Sequence, residues 1–195
     1  EDDQSLSKEL PATASPQPTK QEENKHGKKE LLDTLLKSKR LLVVAGEQAT
    51  VETFKNWQGK HSPPILCDSL SPLRETMPPN AILRFENLLR DKVFLKNAEP
   101  DVILQFGPLP TSKTLRKWLG ELNASRVVLE PRGTNVDPLK GTSQSFDLSY
   151  SQAASINPPI CETGWCDHWI KAEKQIEAKF DRYFSQEVNW FEGKL

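Results

Sequence analysis

No apolar run in this sequence approaches the roughly 20 residues that a helix needs to cross a bilayer, and its first residues are acidic and polar. We therefore expect neither a membrane span nor a secretory signal. An excess of charge of one sign is also lacking, because 26 basic side chains stand against 27 acidic ones and the net charge is −1. This balance argues against nucleic acid or an anionic membrane as the partner.

The sequence also lacks the glycine-rich motifs of nucleotide-binding proteins. A dinucleotide site needs G-x-G-x-x-G after its first strand, whereas residues 44–49 supply only Gly46, followed by the charged Glu47. We find neither a G-x-x-x-x-G-K-[ST] loop nor a G-x-S-x-G elbow. His26, His61 and His168 are not spaced to form an acid–base pair. We therefore predict no catalytic and no cofactor-binding residues in this segment.

The sequence contains only three cysteines, which is an odd number. Cys67, Cys161 and Cys166 favour a reducing compartment, cytosol or plastid stroma, over a disulfide framework. The spacing Cys161-x4-Cys166-x-His168 suggests a metal site, but a fourth ligand has no evident position. We therefore predict no metal ligands.

The composition predicts three segments. Residues 1–28 contain three prolines and almost no large apolar side chains, which indicates a disordered linker or insertion. Residues 29–185 form the predicted domain, and residues 186–195 an exit segment toward a following domain. Residue 1 is Glu rather than Met, so we expect the segment to come from a longer chain.

Strands and helices alternate through the predicted domain. Right-handed βαβ crossovers then predict a Rossmann-like α/β three-layer sandwich with a mostly parallel sheet, without a dinucleotide fingerprint. We predict strands at 41–45, 64–67, 102–104, 126–129 and 146–148, and helices at 30–38, 49–57, 81–89, from 111 onward and at 164–184, with a further helical turn or two within 90–98.

One junction is a candidate binding site. An apolar strand that begins at Val102 ends at Gly107, and a helix begins near Thr111 and Ser112, either of which can cap it. Lys113 lies in its first turn, where free amides and a positive helix end favour an anion. Loops 46–48, 68–74 and 131–138 are predicted to share this edge of the sheet. On composition alone, a solvated surface lysine is the more common case.

Five segments carry a resemblance to a known family, namely 41–47, 68–74, 100–107, 111–113 with Trp118, and 137–138. In this order and spacing they resemble the central domain of 2-succinyl-5-enolpyruvyl-6-hydroxy-3-cyclohexene-1-carboxylate synthases. These are thiamine-diphosphate-dependent transferases of menaquinone and phylloquinone biosynthesis. The resemblance covers roughly residues 30–185 and is most specific from Phe106 to Trp118.

The resemblance implies an activity for the parent enzyme. It would decarboxylate 2-oxoglutarate on thiamine diphosphate, held by Mg²⁺, and add the resulting carbanion to isochorismate. Other domains of the same chain, in a homo-oligomer (dimer or tetramer), would bind the cofactor. No Gly-Asp-Gly metal motif occurs here, so we expect the isolated segment to be inactive.

The resemblance also implies two substrate-binding residues, Lys113 and Arg132, as cations for substrate carboxylates. Thr114 stands where some members have Arg, and Arg74 is as well placed to pair with Asp68 or Glu75. Two alternatives stay open, namely a stand-alone Rossmann-like carboxylate-binding or regulatory module, and a purely structural domain.

Overall fold

A six-stranded sheet forms the centre of the protein, with the strand order β3-β2-β1-β4-β5-β6. The computed structural model describes residues 20–59, 61–130, 139, 143–146 and 149–187. Every neighbouring pair of strands is parallel. The strands are β1 Leu41–Ala45, β2 Ile65–Cys67, β3 Ala81–Ile82, β4 Val102–Phe106, β5 Ser125–Leu129 and β6 Ser143–Phe146.

The strand order places a topological switch point between β1 and β4. From β1 the chain proceeds through β2 to β3 on one side, and from β4 through β5 to β6 on the other. The two central strands pair over their full length, from Leu41 opposite Val102 to Ala45 opposite Phe106. Ligands of open parallel sheets bind beyond the carboxyl ends of such strands.

Helices pack around this sheet, and all residues of β1 and β4 are buried. Burial of every residue, rather than every second one, requires cover on both faces. The predicted Rossmann-like α/β fold is therefore confirmed. The helices are α1 Lys20–Leu36, the 3₁₀ helix Glu52–Trp57, α2 Leu73–Thr76, α3 Phe85–Leu88, α4 Lys92–Leu95, α5 Lys113–Glu121, α6 Tyr150–Ala154 and α7 Thr163–Gln186.

Aromatic side chains form two clusters in the core. Phe106 contacts Phe54 with a centroid distance of 4.7 Å, and Trp57 packs at the edge of both rings. In the second cluster, Trp169 of α7 lies 6.0 Å from Trp118 of α5 and 4.8 Å from Phe94. The second cluster joins α5, α4 and α7 into one layer.

The prediction of a helix at 81–89 is wrong for its first residues. Ala81 and Ile82 form strand β3, paired with Ile65 and Leu66. Asn80 fixes this edge, since its side-chain amide donates to Trp57 O at 2.9 Å and to Pro63 O at 2.7 Å. Tertiary pairing overrides local propensity here, and a strand of two residues is too short to show a period.

Other elements differ in their bounds. The first helix begins at Lys20 rather than at residue 30, because Lys, Gln and Glu are good helix formers although the apolar stripe starts only at Leu31. The segment predicted as a helix at 49–57 is a 3₁₀ helix. Of the strand predicted at 146–148, Phe146 belongs to β6, Ser143–Phe146, and residues 147–148 lie outside the described residues. The short helices α2 and α6 were not predicted. The segment boundaries at 28 and 186 stay predictions.

Candidate functional site

The loops after β1 and β4 meet at the carboxyl edge of the sheet, as predicted. A Cβ atom at Gly46 would lie 3.4 Å from Pro108 O, which shows how closely the two backbones approach. Gly107 adopts a positive φ of 69° and donates a hydrogen bond of 2.9 Å to Leu129 O. The loop after β2 joins the same edge, because Asp68 N donates to Ala45 O at 3.1 Å.

A tyrosine fills the crevice between these loops. Tyr150 Oη donates a hydrogen bond of 2.8 Å to Gln48 Oε1, and its ring lies 5.9 Å from the Phe106 ring. A Cβ atom at Gly107 would come within 2.8 Å of the same hydroxyl. Ser149 holds Tyr150 at the start of α6 through a capping box with Gln152. The space that a dinucleotide would use against the backbone is therefore occupied by protein.

Two side chains hold the connection from β4 to α5. Gln105 Nε2 donates to Gly107 O at 2.8 Å, while Arg116 Nε donates to Pro110 O at 2.8 Å and a second guanidinium nitrogen to Leu109 O at 3.3 Å. These bonds pair backbone carbonyls that would otherwise lack partners. The connection that carries Lys113 is thus tied at both of its ends.

Helix α5 begins as the sequence predicts. Ser112 is the N-cap, and its hydroxyl accepts a hydrogen bond of 3.0 Å from Leu115 N. Leu115, Trp118 and Leu119 are buried and attach the helix to the core. Lys113 is the first residue of α5, so its Cα is fixed at the carboxyl edge of the sheet.

Sequence reasoning missed a carboxylate at this helix end. Ser112 Oγ donates to Glu86 Oε1 of α3, and Arg90 approaches the other oxygen at 3.4 Å. Burial by itself raises the pKa of the Glu86 carboxyl, but hydrogen bonds from Ser112 and Thr114, with the charge of Arg90, lower the pKa below its usual value. The ionised Glu86 carboxylate thus neutralises part of the positive partial charge at the N-terminus of α5.

Lys113 lines an open groove of about 450 Å³ between α4 and α5. The Lys113 side chain is exposed, and no ion pair joins it to any residue that the structure describes. The same groove is lined by the basic Arg90, Lys92 and Lys117, the acidic Glu121 and the apolar Leu95 and Trp118. Basic side chains thus outnumber the acidic one beside an apolar wall, a combination that suits an organic anion.

The other candidate cations have different positions. Arg132, the second predicted substrate-binding residue, lies outside the described residues. Arg74 pairs with neither predicted carboxylate, because its guanidinium donates to the backbone oxygens of Asp68 at 3.0 Å and Leu83 at 2.7 Å. The loops after β2 and β3 supply these two carbonyls, which lie closer to the guanidinium than any described carboxylate. Arg74 therefore has a structural role.

The three cysteines are buried in the core, and His168 is half-buried beside Phe94. His168 Nε2 lies 3.0 Å from Phe94 O, and its ring stacks on the Phe94 ring at 4.6 Å. All three cysteines are free and buried. A hydrogen bond between Cys161 and Cys166 lowers the pKa of Cys161 and raises that of Cys166. Burial raises the pKa of Cys67 to about 12.

The residues present do not fit a thiamine diphosphate and Mg²⁺ site. In the part of the chain that the structure describes, no three His, Cys, Asp or Glu side chains are grouped to hold a metal ion. Tyr150 also fills the crevice where a diphosphate would approach backbone amides.

Among the residues that the structure describes, no helix is long and apolar enough to cross a membrane.

Comparison with known proteins identifies relatives. The family model described as "Middle domain of thiamine pyrophosphate" matches residues 8–195. The 2-succinyl-5-enolpyruvyl-6-hydroxy-3-cyclohexene-1-carboxylate synthase of Microcystis aeruginosa is 35% identical over 68% of this chain and 24% of its own length. The synthase of Rippkaea orientalis is 30% identical over 75% of this chain and 25% of its own length.

The chain thus spans about a quarter of the length of these curated relatives. The synthase of Gloeothece citriformis shows the same relation, with 31% identity over 68% of this chain and 24% of its own length. The resemblance found from the residues is therefore confirmed. The chain belongs to the family of middle domains of thiamine pyrophosphate enzymes, and its relatives are 2-succinyl-5-enolpyruvyl-6-hydroxy-3-cyclohexene-1-carboxylate synthases.

Proposed function

We propose that this chain is the central domain of a synthase that decarboxylates 2-oxoglutarate and adds the succinyl carbanion to isochorismate. The parent enzyme would be a transferase of menaquinone or phylloquinone biosynthesis. The family match over residues 8–195 and the names of the relatives support this proposal. The free cysteines agree with a reducing compartment, cytosol or plastid stroma.

The proposed contribution of this domain is a scaffold and a cation for a substrate carboxylate. The single observation that carries it is the position of Lys113, exposed at the first residue of α5 and paired with no described carboxylate. Both substrates are carboxylates, and an ammonium group at the edge of the sheet can hold one of them. An uncharged analogue would leave the lysine without a counter-ion and bind less well.

Arg132 is the second proposed cation. It follows β5, which ends at Leu129 beside Phe106 at the same edge of the sheet. The guanidinium of Arg132 would offer a planar pair of donors for a second carboxylate group. Its role stays a proposal that substitution by Lys and Ala can test.

The cofactor has its place elsewhere in this proposal. Thiamine diphosphate and Mg²⁺ would be bound by other domains of the parent enzyme, a homo-oligomer, since the residues described here do not fit them. The bound cofactor supplies the decarboxylation and carbanion chemistry. Residues of this domain would bind and orient a substrate, and none would be catalytic.

The experiment is an assay of the complete protein with 2-oxoglutarate and isochorismate, with and without thiamine diphosphate and Mg²⁺. We expect loss of isochorismate that depends on 2-oxoglutarate and on both cofactors, and no turnover by residues 1–195 alone. Absence of turnover by the complete, folded protein would contradict the proposal. Calorimetric binding of 2-oxoglutarate to residues 1–195 would then support the alternative of a stand-alone carboxylate-binding module.

A further inference from the structure

Glu86 bonds to the residue that precedes Lys113. Its carboxylate accepts a hydrogen bond from the hydroxyl of Ser112. Ser112 at the same time accepts from Leu115 N at 3.0 Å as the N-cap of α5. One carboxylate from another element of the fold therefore holds the N-cap residue directly before Lys113.

Glu86 is itself carried by a fixed element. Phe85 and Leu88 on either side of it are buried. The preceding Arg84 attaches α3 to α7, because its guanidinium and its backbone N–H bond to the Glu173 carboxylate at 2.8 Å and 3.1 Å. Because α3 is anchored in this way, the Glu86 carboxylate has a fixed position and can hold its hydrogen-bond partner in place.

The charge of Glu86 is the wrong sign for an anion site. A carboxylate near Lys113 opposes the approach of a substrate carboxylate through space. If Glu86 acted by charge alone, its removal would strengthen substrate binding. The hydrogen bond from Ser112 predicts the reverse, because its loss releases the first turn of α5.

We propose that Glu86 is a positioning residue, which holds the first turn of α5 so that Lys113 is presented to the substrate carboxylate. The inference rests on the proposed function of Lys113. Glu86 does not touch the substrate. It acts through Ser112, and its effect requires the ammonium group of Lys113.

The test measures KM and kcat for both substrates in the complete enzyme. Glu86→Ala should raise KM for the carboxylate substrate that Lys113 binds by about 3- to 10-fold, in the lower part of the range for residues coupled through contacts, with little change in kcat. Glu86→Gln keeps an acceptor without the charge, so its KM should stay within about twofold of the unaltered enzyme or fall below it. A fall in KM for Glu86→Ala would overturn the proposal.

A double-mutant cycle with Lys113→Ala separates this inference from the proposed function. Glu86→Ala should have no further effect on KM once Lys113 is absent, and an equal effect in both backgrounds would overturn the positioning role. An unchanged KM for Lys113→Ala alone would instead remove the proposed function. If Glu86→Ala does not fold, Ser112→Ala removes the hydroxyl of the same contact and should raise KM only when Lys113 is present.

Discussion

The hydroxyl of Tyr150 donates a hydrogen bond of 2.8 Å to Gln48 Oε1, across the crevice between the loops that follow β1 and β4. In a Rossmann-like sheet this crevice is the customary place for a nucleotide. Gly107 lies beneath the hydroxyl with a positive φ of 69°. The two loops thus approach each other as closely as in a nucleotide site, but an aromatic side chain fills the crevice between them.

Gly107→Ala should destabilise the domain. A left-handed backbone costs an alanine about 1–3 kcal/mol, and the added Cβ would lie 2.8 Å from Tyr150 Oη. Gly120→Ala in α5 is the matched control, since nothing lies within 4 Å of its added Cβ and alanine favours helix by about 0.5–1 kcal/mol. Urea unfolding should show changes of opposite sign, and equal changes would contradict this account of Gly107.

Glu173→Ala should lower the free energy of unfolding by about 2–3 kcal/mol, because the Arg84 backbone N–H loses its acceptor and the Arg84 guanidinium loses the more buried of its two carboxylate partners. Glu177 pairs with the same arginine at 3.2 Å, but 47% of its side chain is exposed. Glu177→Ala should therefore change stability by less than about 0.5 kcal/mol. Similar losses for the two variants in thermal unfolding would show that burial does not distinguish these ion pairs.

The cysteines should react with a thiol reagent only after unfolding. All three are buried, and burial raises the pKa of Cys67 to about 12, which leaves almost no thiolate at neutral pH. A time course with a chromogenic disulfide should be slow in buffer and complete within seconds to minutes in denaturant. Rapid reaction of one thiol in the folded protein would contradict this prediction and would indicate that the reagent reaches Cys161 or Cys166.

Acid should weaken the contact between Glu86 and α5. The pKa of Glu86 is lower in the folded domain than its ordinary value of 4.5. Its stabilising effect is therefore fully present above 4.5 and is lost as the pH falls through the lower folded value. Glu86→Gln should reduce the loss of stability between neutral and acidic pH, as measured by urea unfolding. An unchanged pH dependence would exclude this contribution.

Much of the fold follows from local patterns. The apolar runs of β1 and β4 identify two buried strands at their observed positions, and the N-cap Ser112 with Leu115 and Trp118 identifies the start of α5. These elements are set by residues close in sequence. Strand β3 is different, since Ala81 and Ile82 become a strand only through pairing with β2.

The site was harder to predict because its contacts are distant in sequence. Glu86 and Ser112 are 26 residues apart, and Tyr150 and Gln48 are 102 apart. No local pattern indicates that an acidic residue on α3 will meet the start of α5. A capping box of Ser149 and Gln152 could have indicated α6, but not that Tyr150 would close the crevice.

The most direct test of the central claim is KM for 2-oxoglutarate and for isochorismate in the complete enzyme with Lys113→Ala. Lys171→Ala, an exposed lysine of α7, is the control for a change in net charge. We predict that Lys113→Ala raises KM for one of the two substrates by about tenfold, as expected for the loss of a charged hydrogen bond of about 1.5 kcal/mol, and that Lys171→Ala does not. An unchanged KM for both substrates, with the fold intact, would contradict the claim that Lys113 binds a substrate carboxylate.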